Sequence, residues 1–250
     1  MDRWIGKVAV VTGASSGIGA AIATKLVKNG MIVVGMARRV ERIKEITETF
    51  KGKGILHAIK ADISNERDVA EAFQWVKTNL RTVHVLVNCA WIGRYYPLTG
   101  QGEVANLQQL MKVNAFGVTN CTTEALKLMK DTGIDDGHII HLNSVVGHNI
   151  LPFTGHYIHT ALKHGVTVMT EGLRRELVQE KSKIKVTSIS PGLVNTEMVE
   201  DFKTPGMKSN IAEMPMLEPK DIADGVIYVL GTPPHVQIQE LTIRPVGEEF

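Results

Sequence analysis

The chain has little cysteine, little net charge and no long apolar run, and each shortage excludes a class of protein. Two cysteines in 250 residues, Cys89 and Cys121, are too few to staple a small secreted scaffold. They fit a reduced, cytoplasmic protein better. A formal net charge of +2 without a basic tract offers nothing to nucleic acid or to an anionic membrane surface. No apolar stretch approaches the roughly 20 residues that span a bilayer, so no membrane span is expected. The first expected strand begins at Lys7, which leaves no room for a secretory leader. Internal repeats, low-complexity segments and linkers are also missing, so residues 1–250 read as a single domain, long enough to bury a large core.

What is present is alternation. Strand-like runs at Lys7–Thr12, Ile32–Ala37, Ile55–Lys60, Val83–Asn88, His138–Asn143, Lys185–Ser190 and Gln237–Thr242 are nearly continuous in hydrophobicity and rich in β-branched residues. That is the signature of strands buried on both faces. Helical patterns separate them, at Ala20–Lys28, Val40–Phe50, Glu66–Leu80, Val104–Lys130, Thr160–Glu180 and Pro219–Leu230. The expected fold class is α/β: a doubly wound, mostly parallel Rossmann-type sheet of about seven strands with helices on both faces. The least regular stretch, Asn195–Leu217, carries Pro205, Gly206, Pro215 and four methionines between Met198 and Met216. It reads as a lid or binding loop.

The segment from Val8 to Gly19 runs from a buried strand through a glycine-rich turn directly into a helix. Gly13 allows the tight turn, Gly17 lets backbone approach a pyrophosphate, and Gly19 lets the helix pack close to the sheet. The helix N-terminus adds free N–H groups and partial positive charge, so the segment points to dinucleotide binding. At the end of the second strand, where an acidic residue would grip the ribose of NAD, the chain reads Ala37-Arg38-Arg39. A guanidinium matches a phosphate bidentately, so NADP (NADPH) is favoured over NAD, with Arg38 as the main contact and Arg39 as the alternative.

The spacing T-G-x-x-x-G-x-G at Thr12–Gly19, and the order of the motifs after it, resemble the short-chain dehydrogenase/reductase family over nearly the whole chain. The run His164-Gly165-Val166-Thr167-Val168-Met169-Thr170-Glu171-Gly172-Leu173-Arg174-Arg175 resembles its farnesol-dehydrogenase-like, member-eleven branch without a gap. The resemblance implies cofactor contacts from Gly13, Ser15, Ser16, Gly17, Ile18 and Gly19, then from Asp62 and Ile63, from Asn88 and Ala90, from Lys163, and from Pro191, Gly192, Val194 and Thr196. Asp62 is also readable as the opening of a turn in which Ser64 caps the next helix. Two positions depart from the family: Cys89 and Trp91 stand in Asn88-Cys89-Ala90-Trp91 where the family reads Asn-Asn-Ala-Gly.

The resemblance further implies a catalytic set of Asn114, Ser144 and Lys163 together with a tyrosine four residues before the lysine. Here that place holds His159, while Tyr157 lies six before Lys163 and thirteen after Ser144. Three readings stay open: His159 is the proton donor, Tyr157 reaches the site instead, or the acid is lost. The expected function is an NADP(H)-dependent oxidoreductase that interconverts an apolar alcohol, isoprenoid- or steroid-like, with its aldehyde or ketone. The alternative is a catalytically inactive member that binds a small ligand or a protein. Substrate contacts are expected from residues 150–153 and from Met198–Met216, whose methionines adapt to an apolar shape. A metal at His148, His156 and His159 is not expected, because no carboxylate or cysteine completes a recognisable spacing. The family implies a homodimer or homotetramer built through Val104–Lys130 and Thr160–Glu180.

Overall fold

The computed structural model describes residues 1–49, 52–100, 102–150, 154–202 and 214–248. The strands are β1 (Val8–Thr12), β2 (Ile32–Ala37), β3 (Ile55–Lys60), β4 (Val85–Asn88), β5 (His138–Leu142), β6 (Lys185–Pro191) and β7 (Glu240–Ile243). They form one parallel sheet in the order β3-β2-β1-β4-β5-β6-β7. The helices are α1 (Gly17–Lys28), α2 (Val40–Thr49), α3 (Glu66–Leu80), α4 (Val104–Met111), α5 (Val118–Asp131), α6 (Tyr157–Gln179) and α7 (Pro219–Leu230). The expected Rossmann-type architecture is therefore the one observed. Strand order reverses between β1 and β4, and in such sheets ligands bind in the crevice at the carboxyl ends of the strands beside that point.

The burial pattern explains why the strands read as unbroken apolar runs. β1, β4, β5 and β6 are buried at every residue. One core, with Ile22, Leu26, Ile222 and Val226, lies under α1 and α7. The second, with Val69, Phe73, Ala125 and Leu177, lies under α3, α5 and α6. Trp4, before β1, is 3% exposed and donates its indole N–H to Leu230 O at 2.7 Å, which ties the chain start to the end of α7.

The expected single helix over Val104–Lys130 is interrupted. Lys112–Gly117 forms a π-helical turn between α4 and α5. Asn114 sits inside it, and wide turns of this kind concentrate at functional sites. The helical periodicity stated above does not resolve one extra residue within a helix, which is why it suggested continuity.

Buried histidines replace aliphatic residues in β5. His138 Nε2 meets Thr187 Oγ1 at 2.8 Å. His141 bridges two helices through Thr122 Oγ1 at 3.3 Å and Thr170 Oγ1 at 2.9 Å. Burial lowers both, His138 to about 3 and His141 to about 4. The folded state holds these rings neutral, while the unfolded chain protonates them below its ordinary value of 6.5. Stability is thus fully present above that pH and declines as pH falls from it toward the folded values, by roughly 1.4 kcal/mol per pH unit per ring. Urea unfolding at about pH 7 and about pH 5 checks this; the midpoint is expected to drop, and a flat midpoint contradicts the assignment.

Candidate active site

The crevice beside β1 and β4 is a groove of about 200 Å³ that starts at the glycine-rich turn and ends at Trp91. Three glycines shape its floor, and each has a measurable reason. Gly13 has φ +71°, and a Cβ there would stand 2.8 Å from Ala90 Cα. Gly17 has φ +52° and faces Thr196 across the groove. A Cβ on Gly19 would lie 2.3 Å from Gly13 O, so the helix approaches the turn as closely as backbone allows. Ser15, Ser16 and Ile18 complete this wall. The cradle suits a pyrophosphate: N–H groups at the start of α1, no side chains in the way, and a helix dipole favouring negative charge.

At the end of β2 stand the two expected arginines. Arg38 lines the groove, but Arg39 carries the contacts. Its guanidinium donates to Ser16 Oγ at 2.9 Å and to Glu197 Oε2 at 3.0 Å. Arg42, one helical turn on, donates to Glu197 Oε1 at 2.5 Å. Hydrogen bonds from Arg42 and Arg39 hold the Glu197 carboxyl below its usual range. A carboxylate thus receives one bond from each of two guanidinium groups, one of which also donates to a phosphate-turn hydroxyl, a grouping of donors suited to an anion. Arg42 was missed in the sequence; it lies in the first turn of α2, and its backbone N–H bonds back to Arg39 O at 3.3 Å just before the helix, which brings the two side chains together. Glu197 left no local signal.

Asp62 and Ile63 line the groove. Asp62 Oδ1 accepts Ser64 N–H at 2.9 Å and Ser64 Oγ–H at 2.7 Å. Ser64 is therefore not the cap of α3. That role belongs to Asn65, whose Oδ1 accepts Arg67 N–H at 3.0 Å.

Behind Trp91 lies the second half of the site. Lys163 is 5% exposed and donates its ammonium to Leu142 O at 2.8 Å and to Asn143 O at 3.0 Å. Burial lowers Lys163 to about 7. His159, one turn earlier on α6 and 5% exposed, shares its face. Burial, with the Lys163 charge second and His156 third, lowers His159 to about 3, so its ring is neutral. Trp91 joins the pair: its Nε1–H donates to His159 Nδ1 at 3.1 Å, and its ring lies 3.7 Å from Lys163 Nζ. With Nδ1 accepting, the imidazole proton resides on Nε2.

Tyr157 is not part of this cluster. It is the first residue of α6 and 37% exposed. Six residues turn it roughly 120° away from Lys163 on the helix. Asn114, fully buried, clamps the strand exit: its Oδ1 accepts Ile92 N–H at 3.0 Å and its Nδ2 donates to Ile92 O at 2.9 Å. Both amide atoms are engaged by protein. Ser144 donates to Pro191 O at 3.3 Å and accepts Val146 N–H at 3.3 Å.

Other expected contacts lie off the groove. Asn88 donates to Thr122 Oγ1 at 2.9 Å, bracing β4 against α5. Val194 belongs to the core under α1 and α7, and Gly192 N–H pairs with Ile243 O at 2.8 Å. Pro191 meets the site only through Ser144. Thr196 and Ala90 do line the groove. Residues 151–153 and 203–213, in the two segments expected to touch substrate, lie outside the described residues.

The family model for short chain dehydrogenase matches residues 7–205. The chain belongs to that family. Short-chain dehydrogenases are oxidoreductases, and similar members match end to end. Farnesol dehydrogenase from Aedes aegypti is 49% identical, covering 100% of both chains. Dehydrogenase/reductase SDR family member 11 from Gallus gallus is 42% identical, covering 99% of each. Among solved structures, the closed form of serine dehydrogenase complexed with NADP+ superposes with a TM-score of 0.84 at 25% identity, covering 97% of this chain and 96% of that one. As a short-chain dehydrogenase the protein has a groove whose glycine cradle and anion site fit a nicotinamide dinucleotide.

The tightness of the cradle makes a direct prediction. Gly19→Ala places a methyl group against Gly13 O, which forces the turn to shift at about 1–3 kcal/mol. Gly165→Ala, which meets nothing within 4 Å, is the neutral control. Thermal unfolding and nucleotide titration of the two variants check the contrast, which an undisturbed Gly19→Ala protein would refute.

Proposed function

We propose that the protein is an NADP(H)-dependent oxidoreductase interconverting an apolar alcohol and its aldehyde or ketone, with His159 handling the proton. The observation that carries this reading is spatial: a groove fitted to pyrophosphate leads to a buried lysine and histidine one helical turn apart. The preference for NADP(H) is supported by Arg39 and Arg42 converging on a carboxylate, and by Ala37 where NAD would need an acid. A ribose 2′-phosphate offers the same two forks a doubly charged partner. Gly13, Ser15, Gly17 and Thr196 would hold the pyrophosphate, Asp62 and Ile63 the adenine, and Lys163 the nicotinamide ribose.

The bound cofactor supplies or takes a hydride; the remaining work falls to side chains of this protein. A neutral imidazole is a competent electrophile for a carbonyl oxygen. With its proton on Nε2, His159 donates a hydrogen bond to that oxygen and delivers the proton as negative charge develops there. The Lys163 ammonium steadies the ring as it loses the proton, and a lysine near pH 7 is itself poised to exchange protons with water. Ser144 orients the carbonyl from the end of β5. An isoprenoid-like substrate agrees with the name of the Aedes aegypti relative. End-to-end similarity to dehydrogenases argues against the binding-module alternative.

Assembly as a homodimer or homotetramer is supported by apolar residues left outside on the helices concerned. Val104 is 63% exposed, Phe116 66% and Val168 71%. Among the described residues no helix is long and apolar enough to cross a membrane. A cytoplasmic site agrees with two unbridged cysteines.

Calorimetric titration with NADPH and NADH tests the cofactor. NADPH is expected to bind more tightly, and Arg39→Ala or Arg42→Ala to lose about tenfold for NADPH with NADH unchanged; equal losses for both cofactors would count against the anion site. In an assay with an apolar aldehyde, His159→Ala is expected to lower kcat about 100-fold or more, and Tyr157→Phe to stay within about twofold. The reverse ranking would hand the proton to Tyr157. Sedimentation equilibrium decides assembly: a species of one chain only removes the oligomer.

A further inference from the structure

The groove and the lysine–histidine pair are both built, yet Trp91 stands between them. Trp91 lines the groove, whose lining does not include Lys163 or His159, and its indole touches both of those polar groups. Lys163 has three N–H donors. Two go to Leu142 O and Asn143 O, and the exposed side of the ammonium is covered by the indole face at 3.7 Å. A ribose hydroxyl therefore has no way to reach it in this arrangement. His159 is held likewise: its Nδ1 accepts the indole N–H, and the two rings meet edge to face with centroids 5.6 Å apart at 85°.

The backbone on either side of Trp91 is fastened. Ala90 N–H donates to Thr12 Oγ1 at 3.0 Å, and Ile92 N–H and C=O are both held by Asn114. On this fixed base at the end of β4, a change of rotamer displaces the indole without moving the strand end.

We infer that Trp91 is a side-chain gate across the nicotinamide end of the groove, held shut by His159 and Lys163 and displaced when a whole dinucleotide enters. The adenosine half of the groove stays open in the closed state. Opening frees the Lys163 ammonium for ribose hydroxyls and His159 for the substrate oxygen in a single movement. This inference rests on the dinucleotide reading above. It adds that the protein binds the adenosine-phosphate fragment without cost from Trp91, while the whole cofactor has to displace the indole. A closed majority state lowers apparent affinity by the fraction of open molecules, so removing the gate strengthens one ligand and not the other.

The test is calorimetric titration of the wild-type protein, Trp91→Gly and Trp91→Phe with NADPH and with its fragment adenosine 2′,5′-bisphosphate. The fragment is expected to bind wild type and Trp91→Gly equally. NADPH is expected to gain about tenfold or more in Trp91→Gly, consistent with loss of a desolvated cation–π contact and a hydrogen bond. Trp91→Phe keeps a ring beside Lys163 and loses only the N–H, so it is expected to gain less. It also decides the matter should glycine loosen the fold: a gain supports the gate, and no gain overturns it. NADPH binding that is unchanged or weaker in Trp91→Gly overturns the gate and makes Trp91 a stacking partner. Running NADH and 5′-ADP in parallel separates the two readings. Loss of preference for the 2′-phosphate sinks the NADP assignment, whereas the ratio of whole cofactor to fragment still reports on Trp91.

Discussion

A lysine ammonium taken out of water organises this site. Lys163 is retained in the interior because two carbonyls at the end of β5 and an indole face replace its hydration. An unpaired buried charge is costly enough that the neighbouring groups are constrained by it. Its field adds to burial in keeping His159 and His141 neutral. It also reaches Cys89 beneath the groove, where it opposes the effect of burial on the thiol. The carbonyls that hold it belong to the stretch that delivers Ser144, so the ammonium position and the Ser144 hydroxyl are set by one strand end.

Much of the fold was legible because parallel strands buried on both faces leave no choice of polarity along their length. Six of the seven expected strands have boundaries within two residues of the observed ones; β7 begins three residues later than expected, at Glu240. The phosphate turn was legible too, since its glycines answer local backbone demands at Gly13 and Gly19. What escaped was nonlocal. Glu197 meets Arg39 from 158 positions away, and no pattern in the neighbourhood of either residue announces the pair. Which of His159 and Tyr157 shares a helix face with Lys163 needed the helix register, which the sequence leaves open when two spacings disagree. Trp91 was visible as an oddity, but its partners were not.

The site divides into a rigid frame and a small set of substitutable side chains. Thr12, Ala90, Asn114 and Ile92 form a continuous hydrogen-bonded seam from β1 across β4 to the π turn. Cys89 N–H also joins that seam through Thr12 Oγ1 at 3.0 Å, so its thiol is not needed to hold the sheet. Thr12 and Asn114 supply the side-chain ends of this seam, whereas residues 89, 90 and 92 join it through backbone groups alone and so leave their own side chains free to vary. That is how a chain altered at Cys89, Trp91 and His159 keeps the same frame.

The π turn at Lys112–Gly117 has a consequence for the whole length from Val104 to Asp131. One additional residue within a turn rotates everything after it by about 100° relative to an uninterrupted α-helix. The two halves are therefore written in different phases. Asn114 meets Ile92 at the phase break, and just beyond it a Cβ on Gly117 would stand 2.8 Å from Ile63 Cδ1. Deleting a single residue there would restore perfect helical periodicity and, in doing so, pull the groove's floor out of alignment with its far wall. In this segment the imperfect helix is the one that lets Asn114 reach Ile92, and length is as constrained as composition.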